Sequence, residues 1–258
     1  MDLDITGLRV LVTAGAGGIG LAIARRFLAE GAKVHVCDVD EMMLAALAES
    51  DPALTRSQCD VADRASVKRM FDEAVRALGG LGVLVNNAGI AGPTAKVEDM
   101  NPEDWDRCVD VCLTGQFNCT RLAVPLLRDS ENASIVNLSS AAGRVGFAMR
   151  TPYAAAKWGV IGLTKSLAIE LGPDKIRVNA ILPGLVAGDR QRRVLEAKAQ
   201  QRGISYTEME RIAFSYTSIK DYVTPEQIAD QILFMCSPRG RTISGQAISI
   251  CGDTQMLG

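Results

Sequence analysis

Short apolar, β-branched runs alternate with longer stretches of helical period along almost the whole chain. Residues 8–13 (LRVLVT) are the first such run, and a helical pattern over residues 18–30 follows, with Ile19, Ala22, Ile23, Ala24 and Phe27 on one side. The same alternation predicts strands at 33–37, 54–59, 83–86, 134–138, 176–182 and 247–250. Helices are expected at 41–49 and 66–78, within 102–127, and at 153–171 and 225–235. The run at 54–59 is the weakest strand, because it is only partly apolar.

Mostly continuous apolar strands separated by helices predict a parallel sheet covered on both faces. Right-handed crossovers then give an α/β fold, a Rossmann-type doubly wound sheet of about seven strands with ligands at their carboxyl ends. No Pro/Gly/Ser-rich linker and no internal repeat divides residues 1–258, so one domain is expected. Residues 188–223 stand apart: they are polar, with helical patterns at 190–201 and 205–215, and Ser205 followed by Glu208 resembles a capping box. Placed between the sixth strand and the last core helix, this segment is expected to be a small helical substrate lid; an elaborated surface is the alternative.

Composition removes several classes of function. The chain is 48% hydrophobic and carries a net charge of −2, which gives no electrostatic case for nucleic acid or an anionic membrane. No apolar run reaches membrane-spanning length, and residues 1–9 lack the basic and apolar regions of a signal peptide, so a cytoplasmic protein is expected. Its 7 cysteines form no C-x-x-C and read as reduced, mostly buried thiols. The single histidine, His35, lies in a strand pattern and is expected to be structural. Ser-His-Asp hydrolysis and histidine-rich metal sites both need histidines this chain does not have, and no metal is expected.

Directly after the first strand, Gly15, Gly17 and Gly20 satisfy G-x-G-x-x-G at the mouth of a helix. Such glycines allow a tight turn and let a pyrophosphate approach backbone N–H groups at the positive helix end. Asp38, at the end of the next strand, stands where an acidic residue accepts from the adenosine ribose hydroxyls. A carboxylate there repels a 2′-phosphate, and no Arg or Lys occupies Gly17, Gly18, Val39 or Asp40 to offset it, so NAD is expected rather than NADP.

With these residues in view, the chain resembles the short-chain dehydrogenase/reductase family over nearly its whole length. The matching pieces are the glycine turn 13–20, Asp60-Val61, Asn86-Asn87-Ala88-Gly89, Ser140, Tyr153-x-x-x-Lys157 and Pro183-Gly184. Tyr153 and Lys157, four apart on a helix, emerge from one face. Tyrosine is ordinarily a poor base at neutral pH, and a neighbouring ammonium favours its phenolate. The resemblance implies an oxidoreductase that interconverts a secondary alcohol and a ketone, with Ser140, Tyr153 and Lys157 catalytic. It also implies that Thr13, Gly15, Gly17, Gly18, Ile19, Gly20 and Asp38 bind the cofactor. Asp60 and Val61 would flank adenine, and Asn87, Ala88 and Gly89 would line the cleft. Tyr153, Lys157, Pro183, Gly184 and Val186 would complete the nicotinamide end. A homotetramer or dimer through the helices at 102–127 and 152–171 and the C-terminal strand is implied as well.

The chain departs from the family in three places. Ala14 follows Thr13 where the family has glycine, so position 14 is expected to be right-handed or extended, or Gly15 to carry the unusual geometry. Gly188 stands where a threonine is common. Cys112 occupies the place of the asparagine that completes a Ser-Tyr-Lys tetrad; a thiol holds water poorly, so it either weakens the proton relay or only packs.

For the substrate, Arg150 and Arg190 offer guanidinium forks suited to a carboxylate, which points to a hydroxy acid, while a solvated surface charge is the alternative for each. Arg192 and Arg193 open the same lid. Polyols, cyclic alcohols, steroids and 3-oxoacyl thioesters remain open as substrates. Two further readings also remain: an NADPH-type 3-oxoacyl ketoreductase, which Asp38 disfavours, and an NAD-binding protein with little catalysis.

Overall fold

The structure is a computed structural model that describes residues 3–257; residues 1, 2 and 258 of the expected domain lie outside the described residues. Seven strands form one sheet: β1 (Arg9–Thr13), β2 (Lys33–Asp38), β3 (Thr55–Gln58), β4 (Val83–Asn86), β5 (Ser134–Leu138), β6 (Arg177–Pro183) and β7 (Ala247–Ile250). Every pairing is parallel, in the order β3-β2-β1-β4-β5-β6-β7. Strand order reverses between β1 and β4, and a crevice opens at such a switch point beyond the carboxyl strand ends.

Alternation along β1 shows how the two faces are built. Val10 and Val12 face α1 (Gly18–Ala29), α2 (Glu41–Ser50) and α9 (Pro225–Cys236), packing with Ile23, Phe27 and Ile232. Leu11 faces the other way, into a core with Met70 of α3 (Arg64–Leu78) and Leu127 of α5 (Gly115–Leu127). Leu171, at the end of α6 (Thr151–Leu171), closes that second core. Both faces are covered, as the continuous apolar strands require.

Helix ends follow local chemistry. Asp63 accepts from Ala65 N at 2.9 Å to start α3, and Gly79 ends it at φ +75°. Thr224 and Gln227 form a reciprocal capping box at α9. The expected box at α8 (Tyr206–Ser215) is only half made: Ser205 Oγ accepts from Glu208 N at 3.1 Å, while the Glu208 carboxylate turns to Arg211.

The segment expected to hold one long helix at 102–127 is interrupted. α4 (Pro102–Val109) passes through a π turn at Asp110–Thr114 before α5 begins. A π turn inserts one extra residue into the helical period and so re-aims the side chains within it. Nothing in the residues 110–114 marks it, since none is a helix breaker. His35 is structural, as expected: buried in β2, it bonds Thr55 Oγ1 at 2.9 Å and Ser57 Oγ at 2.8 Å.

After β6 the chain leaves the sheet through a parallel bridge between Val186 and Val223. Between them lie α7 (Asp189–Arg202) and α8, which meet in a small cluster of Leu195, Ala199 and Met209.

Candidate active site

The glycine turn is fixed from beneath by the strand beside it. Thr13 Oγ1 accepts from Asn87 N at 3.0 Å and Ala88 N at 2.9 Å. Asn87 Nδ2 donates to the carbonyls of Thr13 and Ala14, both at 3.0 Å. Asn87, expected to line the cofactor cleft, also bolts the ends of β1 and β4 together.

The expectation for position 14 is overturned. Ala14 itself is left-handed, at φ +50°, and Gly15 is not. The bond from Asn87 to the Ala14 carbonyl, and the bond from Gly15 N to Cys37 O at 2.9 Å, hold the peptide in place against the Cβ strain. Gly15 is needed for space instead, since a Cβ there would sit 2.6 Å from Val36 Cβ. At Gly20 a Cβ would run into the Ala14 carbonyl.

The mouth of α1 fits a dinucleotide. Gly17 provides no side-chain cap, and the first turn contains no acidic residue, so its N–H groups stay available to a phosphate. Gly18 is left-handed at φ +51° with open space beside it, while the flexible Met43 side chain lies against Gly17, its Cε close to where a Cβ would stand. The Asp38 carboxylate leans over the turn, accepting from Ala16 N and Asp40 N, each at 3.2 Å. Asp60 pairs with Arg107 of α4 at 2.9 Å, while the buried Val61 accepts from Asn118 through its carbonyl.

The three expected catalytic residues come from two neighbouring segments. Ser140 follows β5 and starts a short 3-10 turn, its Oγ accepting from Ala142 N at 3.1 Å. Tyr153 and Lys157 lie one turn apart on α6, and Lys157 Nζ is 5.7 Å from the Tyr153 ring centre. Lys157 is buried, and its ammonium donates to Leu138 O at 2.7 Å, at the tip of β5.

Ser139 and Gly143 set the spacing between these segments, and no sequence signal marked either. Ser139 Oγ donates to Lys157 O at 2.7 Å. A Cβ on Gly143 would lie 2.6 Å from that same carbonyl, so the 3-10 turn seats directly on α6 only because Gly143 has no side chain.

Cys112 lies in the π turn, fully buried, with Sγ 3.5 Å from Ile90 O. The Cys108 thiol beside it, and then the Lys157 ammonium, pull Cys112 below the ordinary cysteine value; Cys108 is pushed up. Cys108 and Cys112 are both fully buried, beneath Gly89 and Ile90.

Above Gly89 and Ile90 a cavity of about 390 Å³ opens between the 89–94 segment, Arg150 and α7. Arg150 is only 4% exposed, which removes the surface-charge alternative for it. Its Nη2 donates to Ala91 O, its guanidinium lies 5.5 Å from the Tyr153 ring centre, and its buried Nε has no partner among the described residues. Arg190 is exposed, so the surface-charge alternative stays open for it, although it reaches across from α7 to donate to Gly89 O at 3.0 Å. Arg192 is the surface charge, paired with Glu196 at 2.9 Å. Pro183 ends β6, and Gly184 packs so closely on Cys251 that a Cβ would lie 2.6 Å from its Cα.

A phenol and an ammonium one helical turn apart, a serine hydroxyl on the adjoining loop and a dinucleotide-shaped helix mouth together suit proton transfer coupled to hydride transfer. Comparison with known proteins agrees. A family model described as Enoyl-(Acyl carrier protein) reductase matches residues 14–252. The chain is 36% identical to 3-oxoacyl-[acyl-carrier-protein] reductase of Thermotoga maritima over 254 residues, covering 97% of this chain and 98% of that one. It is 33% identical to D-beta-hydroxybutyrate dehydrogenase of Cupriavidus necator over 247 residues, covering 93% and 95%. Among solved structures, levodione reductase superposes with a TM-score of 0.85 at 30% identity, covering 96% of this chain and 97% of that chain.

Proposed function

The chain belongs to the short-chain dehydrogenase/reductase family, and from that premise we propose that it is an NAD-dependent dehydrogenase that interconverts a secondary alcohol and a ketone. The observation that carries this is the arrangement of Ser140, Tyr153 and Lys157 beside a glycine turn over which Asp38 leans.

Proteins of this family act on CH–OH groups with a nicotinamide cofactor. On our reading Thr13, Gly15, Gly17, Gly18, Ile19 and Gly20 hold the pyrophosphate, and Asp38 accepts from the adenosine ribose. Asp60 and Val61 flank adenine, Asn87, Ala88 and Gly89 line the cleft, and Lys157, Pro183, Gly184 and Val186 hold the nicotinamide end. Asp38 selects NAD, because a 2′-phosphate charge at about 4 Å from a carboxylate costs roughly 4 kcal/mol in a partly screened site. Val39 and Asp40 follow it and bring no cation.

When bound, the nicotinamide supplies the hydride acceptor. Ser140 donates to the substrate oxygen, and Tyr153 takes the alcohol proton as general base, returning it in the reverse direction. The Lys157 ammonium, held by Leu138 O, steadies the phenolate. Cys112 serves as a packing residue under Gly89 and Ile90, and Lys157 keeps its place through Leu138 instead.

Arg150 and Arg190 bind a carboxylate on the substrate, with Arg150 the inner anchor, so a hydroxy acid is the expected substrate class. The NADPH-type 3-oxoacyl reductase is the second reading; the Thermotoga relative's name favours it and Asp38 opposes it. We also read the chain as one domain in which residues 188–223 cover the cleft. Trp105, Phe117, Trp158 and Ile169, exposed on α4, α5 and α6, support a homo-oligomer, a tetramer or a dimer. Seven free cysteines support a cytoplasmic location.

Mixing the protein with NAD, or separately NADP, and panels of hydroxy acids, polyols and secondary alcohols tests this through nicotinamide absorbance. NADH formation concentrated among hydroxy acids is expected. Preferential use of NADP would sink the Asp38 reading, and silence in protein that binds NAD would favour a weakly catalytic binding protein.

A further inference from the structure

α7 presents three faces to three different surroundings. Leu195 and Ala199 are buried against Met209 of α8. Arg192 turns to solvent and pairs with Glu196. Arg190, Arg193, Val194 and Ala197 fall at i, i+3, i+4 and i+7, one side of a helix, and all four line the cavity beside Arg150. Leu195 and Ala199 therefore orient the helix, and that orientation sets Arg190 and Arg193, both exposed, along the rim of the cavity.

The charge balance in this cavity is one-sided. Arg150, Arg190 and Arg193 line it, and no Asp or Glu does. Burial first, and the charge of Arg190 in part, hold the Arg150 guanidinium below its ordinary value. Arg150 and Arg190 each have a backbone carbonyl as partner, Ala91 O and Gly89 O. Arg193 makes no hydrogen bond or ion pair among the described residues, although Glu196 lies one turn away on the same helix. Arg190 and Arg193 are exposed at the rim of the cavity, so one carboxylate on the buried Arg150 would leave two solvated guanidiniums at its mouth free to meet a second anion.

We propose that the substrate carries a second acidic group, a carboxylate or a phosphate, which Arg193 binds together with Arg190 from the α7 side while Arg150 holds the first. This deepens the reading of Arg150 as a carboxylate anchor and rests on it. Arg193 thereby becomes a specificity-determining residue: it selects diacids over monoacids. Guanidinium forks suit both oxyanions, since each offers two oxygens in one plane to two parallel N–H groups.

The test needs no knowledge of the substrate. Protein saturated with NADH is titrated with butyrate, glutarate and 3-phosphopropionate, and the dissociation constants are read from nicotinamide fluorescence. Glutarate or 3-phosphopropionate is expected to bind at least ten times more tightly than butyrate, and the stronger of the two names the second group. Arg193→Ala is expected to abolish that advantage and leave butyrate within twofold, with Arg193→Lys restoring part of it. Equal binding of all three, or an advantage that survives Arg193→Ala, overturns the second-acid proposal while leaving the carboxylate reading intact. If Arg150→Ala leaves butyrate binding unchanged, the carboxylate reading itself fails.

Discussion

Around the glycine turn, Thr13, Ala14, Asn87 and Ala88 share four hydrogen bonds between β1 and β4, in the middle of the sheet. Across the cleft, α7 and α8 meet through a cluster of three buried residues, Leu195, Ala199 and Met209, outside both main cores. The cofactor side is over-determined and can hold a strained residue such as Ala14. The other side is lightly held: one small cluster orients α7, and the face it turns to the cleft carries Arg190 and Arg193. Elements with few buried apolar contacts open at lower free energy than the core. On the function proposed above, that difference would give rigid recognition of the cofactor beside an adjustable cover for the substrate.

The largest test removes the bolt on the cofactor side. Asn87→Ala deletes both bonds to the β1 end and strands two carbonyls, at a cost of about 3 kcal/mol. Denaturant unfolding should show that loss together with weaker NAD binding; a folded variant of unchanged stability would mean that the two halves are held alike.

The two sides should also respond to pH in opposite directions. Burial lowers His35, on the cofactor side, to about 4. Its folded value lies below the unfolded value of about 6.5, so the native state resists a proton that the unfolded chain accepts. Stability is therefore complete above about pH 6.5 and is lost as pH falls towards 4, by about 3 kcal/mol at most. His35→Gln should flatten that slope in melts between those limits.

On the substrate side, burial and then the charges of Arg150 and Arg202 lower Lys198 to about 8. Its ammonium stands 4.3 Å from the Phe147 ring centre, and Phe147 also carries Arg150 at 5.2 Å. As pH rises through 8 this charge disappears, so KM for an acidic substrate should rise roughly threefold, about 0.7 kcal/mol, with kcat little changed. Lys198→Met should have the higher KM at all pH values.

The smallest effect is the most local. Ala14→Gly relieves a left-handed Cβ and should raise stability by about 0.5–1 kcal/mol, because part of the gain is offset by a more flexible unfolded chain. Destabilisation on melting would show that Ala14 is not strained.

The same contrast explains what the sequence made legible. Glycines at 15, 17, 18 and 20 and the acid at 38 announce themselves because a phosphate and a ribose demand those residue types at that spacing. Tyr153 and Lys157 show through the helical period. The burial of Arg150 does not, because it depends on Ala91, Phe147 and Tyr153 meeting around one side chain. The π turn at Asp110–Thr114 is equally silent, being composed of residues an ordinary helix accepts. Ala14 differs from expectation for a related reason: its own preference is against positive φ, and bonds from the distant Asn87 amide and to the Cys37 carbonyl override it.

Tyr153→Phe tests the central claim most directly, since it removes one oxygen and leaves the ring and the other residues proposed to hold the cofactor in place. NAD affinity should stay within about threefold of the parent while turnover of any hydroxy acid found active falls by about a thousandfold or more, roughly 4 kcal/mol of transition-state stabilisation. Turnover within tenfold of the parent would contradict Tyr153 as the general base and, with it, the chemistry assigned to this cleft.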